Sequence, residues 1–261
     1  MLKNKVAVIY GAGGAIGGAV ARAFAREGAE LFLTGRLRAP VEVVARDVIS
    51  AGGSADAAEV DALDEKAVDK HLQYVSEKAG RVDVSFNAIG IADPGIVGVP
   101  LVELDVERFS RPIASYTTSY FLTARLAARR MVAKKSGVIM TVSALPSRMG
   151  SLLVGGYSPA MAAKEALTRS LSVELAPHGV RVVSLRPHAM PETASIREVF
   201  NLKAAKLMTW EQWQEALASR THTRRLMTLA EMADVAAFLA SDRASGMTGT
   251  TVNLSMGSLD D

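Results

Sequence analysis

The chain has 261 residues, no cysteine and a formal charge of +3, from 30 basic and 27 acidic side chains. The lack of cysteine excludes disulfides and thiolate chemistry and fits a reducing cytoplasm, while scattered rather than clustered lysines and arginines argue against a nucleic-acid interface. The opening MLKNKVAVIY is too short and wrongly flanked for a secretion signal, and no apolar run is long enough to span a bilayer.

Apolar, β-branched runs alternate with segments of helical period along the chain. Strands are expected at Lys5 to Tyr10, Glu30 to Thr34, Ala57 to Val60, Val82 to Phe86, Gly137 to Val142, Val180 to Leu185 and Thr250 to Leu254. Helices are expected between them, at Ile16 to Glu27, Val41 to Ala51, Glu65 to Ala79, Val106 to Ala133, Tyr157 to about Pro177, and Glu231 to Ala240. Seven strands joined by short connections and helices imply a parallel sheet covered on both faces. The expected fold is therefore α/β, a single Rossmann-type doubly wound domain over residues 1–261. Residues 190–225 break the rhythm. With Met208, Trp210, Trp213 and Met227 in or beside it, this stretch reads as an apolar lid or as part of a subunit interface.

The first strand runs directly into YGAGGAIGG, Tyr10 to Gly18, at the mouth of the first helix. Glycines there let the backbone turn sharply and approach a pyrophosphate, whose charge meets the helix amino terminus. The end of the second strand is where an acid often binds a ribose 2′-hydroxyl, but here it reads Thr34-Gly35-Arg36, with Arg38 just beyond. An acid would repel a 2′-phosphate and a guanidinium would bind it, so NADP(H) is favoured over NAD(H). The alternative is that both arginines are ordinary surface residues.

Taken together, these segments resemble the short-chain dehydrogenase/reductase family over essentially the whole chain, most closely the 3-oxoacyl-carrier-protein reductase type. The likeness rests on Tyr10-Gly11-Ala12-Gly13-Gly14-Ala15-Ile16-Gly17, Val60-Asp61-Ala62 and Asn87-Ala88-Ile89-Gly90, and on LTRSLSVELAPHGVRV (Leu167 to Val182) and MTGTTVNL (Met247 to Leu254). The resemblance implies that Gly11, Gly13, Gly14, Ile16, Gly17, Arg36, Asp61, Ala62, Asn87 and Gly90 hold the cofactor. It places Pro187 and Met190 beside the nicotinamide. It also implies hydride transfer with a small-molecule carbonyl or alcohol, and a cytoplasmic homotetramer.

The family's catalytic group is a tyrosine that gives a proton, a serine on the substrate oxygen, a lysine four residues after the tyrosine, and an asparagine in the preceding long helix. The lysine matters because a free tyrosine titrates near 10, and a neighbouring ammonium brings that value closer to neutrality. Tyr157 falls on the tyrosine. Ungapped matching puts Met161 on the lysine, Ala144 on the serine, with Ser143 one place early, and Tyr116 on the asparagine. A thioether neither carries charge nor donates a hydrogen bond. Lys164 lies about 20° round the helix and roughly 10.5 Å along its axis from Tyr157, so it shares that face. A small bulge would turn Ser143 inward. The plainer readings make Lys164 a solvated or interface lysine, Met161 a packing residue, and His188, after Pro187, an exposed loop histidine rather than a proton donor. His71, His178 and His222 lack partners at metal-ligand spacing, and no metal is expected.

The sequence thus predicts an NADP(H)-dependent oxidoreductase with Tyr157 as acid/base, supported by Ser143 and Lys164. The alternative is an NADP(H)-binding sensor or partner subunit that has lost the lysine, serine and asparagine.

Overall fold

The computed structural model describes residues 1–91 and 95–260. Its strands are β1 (Val6–Tyr10), β2 (Glu30–Gly35), β3 (Ser54–Glu59), β4 (Val84–Asn87), β5 (Gly137–Val142), β6 (Val180–Pro187) and β7 (Thr250–Leu254). The α-helices are α1 (Ala15–Arg26), α2 (Arg38–Ser50), α3 (Glu65–Ala79), α4 (Val106–Lys134), α5 (Tyr157–Leu175), α6 (Ala194–Lys203), α7 (Trp210–Ala218) and α8 (Leu229–Ala240). All strand pairs are parallel, in the order β3-β2-β1-β4-β5-β6-β7. This is the expected doubly wound sheet. The order reverses between β1 and β4, and such a switch point opens a crevice at the carboxyl ends of the strands.

Alternation along each strand builds two cores, one per face of the sheet. Ala7 and Ile9 of β1 point to one side, with Leu31, Leu33, Phe86 and Leu185, under α1, α2 and α8. Val6, Val8 and Tyr10 point to the other, with Phe32, Ile139 and Val182, under α3, α4 and α5. Met227 is buried in the first of these cores, so it packs the body of the fold and is not part of an apolar lid.

Two contacts bring the working ends of the elements together. Gly11 has φ +77°, and a Cβ there would meet Ala88 O at 2.7 Å, so the turn after β1 lies directly on the loop after β4. A Cβ at Gly156 would collide with Phe109 O and meet Pro112 Cγ at 3.0 Å. The bare backbone at the head of α5 therefore lets Tyr157 start its helix hard against α4. Residues 190–225 form α6 and α7, where Phe200 packs edge-on to Trp210 (5.2 Å), Trp210 stacks on Trp213 (5.4 Å), and the Arg197 guanidinium lies 3.6 Å from the Trp210 ring centroid.

Candidate active site

A cleft of about 600 Å³ opens at the switch point. Gly11, Gly13, Gly14, Ala15 and Ile16 line one part of it, Arg36 another, and Asp61, Ala62 and Gly90 a third. The sequence-predicted cofactor residues gather here with four exceptions. Gly17 sits under the loop and makes room for it, since its Cβ would collide with Gly11 O. Asn87 is buried, donating from Nδ2 to Thr123 Oγ1 (3.1 Å) and accepting from Ile89 N (3.4 Å), so it braces the loop after β4 from within. Pro187 and Met190 are buried at and beyond the end of β6 and do not line the cleft. The cleft also takes in Arg111, Ser115 and Ser119, one face of α4 at a spacing of four that sequence reasoning passed over.

The glycine cradle, the helix amino terminus behind it and the Arg36 guanidinium suit a dinucleotide. Arg38 is held by Glu42 at 2.6 Å, whereas Arg36 is exposed at the cleft and makes no ion pair among the described residues. The described residues contain no acid at the end of β2, and Asp61 uses Oδ1 to accept from Leu63 N (2.9 Å).

Beside the cleft, Tyr157 is half-buried at the start of α5 and meets the ring of Tyr116 edge-on, 5.7 Å between centroids. The Tyr116 hydroxyl accepts from Ile91 N (3.2 Å), and Ile91 lines the cleft. Tyr116, Ala160 and Met161 form an apolar cluster, packed by Ile91, Ile113, Ala144 and Tyr157. Met161 is 2% exposed. It fills the space one turn below Tyr157 with a thioether instead of a charge.

Lys164 is neither solvated nor at an outer surface. It is 1% exposed, donates to Val142 O at 2.6 Å, and lies 5.7 Å from the Tyr116 ring centroid and 5.9 Å from that of Tyr120. Burial, with no carboxylate partner among the described residues, lowers its pKa to about 7. Ser143, also buried, gives its proton to Glu165 Oε1 (2.7 Å), with a longer approach to Leu185 O (3.3 Å). Lys164 therefore stands behind the Tyr116 ring, and both it and Ser143 direct a donor to a protein acceptor. His188 is 6% exposed, contrary to the expectation of an exposed loop residue, and burial lowers its pKa. Its backbone N–H is spent on Leu254 O (3.0 Å), which ties the loop after β6 to β7.

The buried lysine makes stability depend on pH. Its folded pKa lies below its value of 10.5 in the unfolded chain, so between about 7 and 10.5 the unfolded state binds more protons. Stability from this group therefore rises with pH across that window, by at most about 1.4 kcal/mol per pH unit. Denaturant titrations of wild type and Lys164→Met at several pH values check this. The wild-type curve should climb relative to the variant's, and parallel curves would mean that the amine titrates normally.

The family model described as Enoyl-(Acyl carrier protein) reductase matches residues 11–258. The cis-4-hydroxycyclohexanecarboxylate dehydrogenase of Sinomonas cyclohexanicum is 35% identical over 246 residues, covering 94% of this chain and 93% of its own. Among solved structures, an NAD+-bound xylitol dehydrogenase superimposes with a TM-score of 0.91 at 25% identity, over 98% of this chain and 99% of that one. A Beutenbergia cavernae chain assigned as an NAD(P)-dependent gluconate 5-dehydrogenase, solved with NADP at low occupancy, gives a TM-score of 0.86 at 30% identity, over 98% and 97%. No helix among the described residues is long and apolar enough to cross a membrane.

Proposed function

The chain belongs to the short-chain dehydrogenase/reductase family, and on that premise we propose that it is an NADP(H)-dependent oxidoreductase interconverting a small alcohol and its carbonyl compound, with Tyr157 as the proton carrier. The observation that carries this reading is the cleft itself. It joins the glycine loop and Arg36 to Ile91, whose N–H holds the phenol packed on Tyr157. The bound nicotinamide would supply or accept the hydride. Gly11, Gly13 and Gly14 leave backbone open to a pyrophosphate, and Arg36 would take a 2′-phosphate. Tyr157 Oη would give its proton to the substrate oxygen in reduction and take it back in oxidation. Lys164 and Ser143 would support from behind, the one beneath the Tyr116 ring and the other through Glu165. The apolar cluster around Tyr157 suits a substrate with hydrocarbon next to the reacting carbon, and the alicyclic alcohol named for the Sinomonas relative is of that kind. Residues 190–225 would close over it.

A second reading is that the chain binds NADP(H) without turnover, as a sensor or partner subunit. The buried thioether of Met161 favours it, because no charge stands where the family has its lysine. Incubating the protein with NADPH and a panel of cyclic and linear ketones, followed by NADPH absorbance, separates the two. Oxidation of NADPH that requires a ketone supports the enzyme. Binding with no oxidation across the panel supports the sensor.

A further inference from the structure

Among the described residues the buried carboxylate of Glu165, so far given no part beyond holding Ser143, accepts four hydrogen bonds. Its Oε1 accepts from Ser143 Oγ at 2.7 Å, Ser147 Oγ at 2.6 Å and Arg186 Nε at 2.9 Å, and its Oε2 accepts from Arg186 Nη2 at 2.9 Å. Glu165 is 3% exposed and Arg186 2%. Burial alone would raise the carboxyl's pKa, but the hydrogen bonds from Arg186, Ser147 and Ser143 outweigh it and hold the value below the usual carboxylate range. The group therefore stays an anion at neutral pH.

Glu165 and its partners come from three segments that converge on the site. Glu165 rides on α5, the helix that begins at Tyr157. Ser143 and Ser147 bracket the turn after β5, which carries Ala144 against Tyr157's cluster. Arg186 is the next-to-last residue of β6, just before Pro187 and His188. We propose that Glu165 is a positioning residue for Tyr157, pinning α5 to the turn after β5 and to the end of β6 so that the phenol keeps a fixed place against the wall of the cleft. It works through other residues and is not itself catalytic. Its kinetic consequence rests on the oxidoreductase reading above, while its geometric consequence does not. The Ser143 hydroxyl belongs to the same clamp, so the hydroxyl beside the family's serine position is engaged by Glu165.

The test uses the full chain in two variants. Glu165→Gln keeps the shape and removes the charge. The pair Glu165→Leu with Arg186→Met removes both charges of the clamp together, a replacement that proteins often tolerate. Two readouts are taken, kcat beside the NADPH dissociation constant, and the ring carbon resonance of Tyr157 in tyrosine-labelled protein, identified by its loss in Tyr157→Phe. The expected result is a fall in kcat on the order of 10²-fold in both variants, with NADPH affinity within about twofold of wild type, since a displacement near 1 Å suffices for such a loss. The Tyr157 resonance should shift or broaden in both variants, and the paired variant should regain the wild-type melting temperature without regaining kcat. Recovery of turnover together with stability in the paired variant would overturn the proposal, as would a Tyr157 resonance unmoved in both. If the wild type turns over no ketone, the oxidoreductase reading fails separately, and the resonance alone decides the positioning role.

Discussion

Replacing Tyr157 with phenylalanine should cut ketone reduction on the order of 10²–10⁴-fold while leaving NADPH affinity within about twofold, because a positioned proton donor contributes that much to the rate and little to cofactor binding. The change removes one oxygen and keeps the ring. The edge-on contact with Tyr116 at 5.7 Å and the packing on Ala160 and Met161 survive, so a loss of rate cannot be blamed on a hole in the cluster. Steady-state kinetics with NADPH and a ketone taken from the panel check it. Unchanged turnover would remove Tyr157 from the reaction and with it the central role assigned to the head of α5.

The largest effect on cofactor binding is expected from Gly17→Ala. A Cβ there would collide with Gly11 O and lie 2.8 Å from Gly11 C and 2.9 Å from Ala12 Cα. These are all backbone atoms, so no side chain can swing aside. Relief requires α1 to lift from the loop or the loop to move, and Gly11 is itself pressed against Ala88 O. NADPH affinity should fall at least about tenfold and stability by roughly 1–3 kcal/mol, the usual cost of overpacking. Gly18→Ala is the control. Its Cβ would sit 3.1 Å from Arg22 Nη1, the far end of a flexible side chain, and 3.3 Å from Val44 Cγ2, so binding should change little. Fluorescence titration with NADPH and a denaturant curve on each variant read both quantities.

Much of the fold was legible because the strands carry strong patterns. The apolar runs of β1, β5 and β6 and the Gly28 and Gly52-Gly53 stops are local signals, and each matches an element within a few residues. The edge strand β3 runs from Ser54 to Glu59 through its pairing with β2, where the apolar pattern marks only Ala57 to Val60, because SADAAE is half-buried and carries two acids. Helix α2 begins at Arg38 rather than Val41, ahead of a proline that suits a first helical turn.

The site was legible where a motif is local and obscure where it depends on side-chain direction. The cleft lining by Gly11, Gly13, Gly14, Ile16 and Arg36 follows from sequence position alone. Helical phase put Lys164 on the face of Tyr157 but could not show that its amine turns to Val142 O beneath Tyr116. The clamp of Glu165 and Arg186 joins residues 21 apart on different elements. Its trace in the sequence is an arginine inside the buried run VRVVSLRP, where an unpaired charge would be untenable.

The most direct measurement is a titration of the wild-type protein and Arg36→Ala with NADPH and with NADH, followed by nicotinamide fluorescence. The account predicts saturable binding of NADPH at one site per chain, weaker binding of NADH, and a loss of most of that difference in Arg36→Ala, since the guanidinium would be a main partner of the 2′-phosphate. Failure of both nucleotides to bind the wild type would contradict the assignment of the cleft, and with it both the oxidoreductase and the sensor.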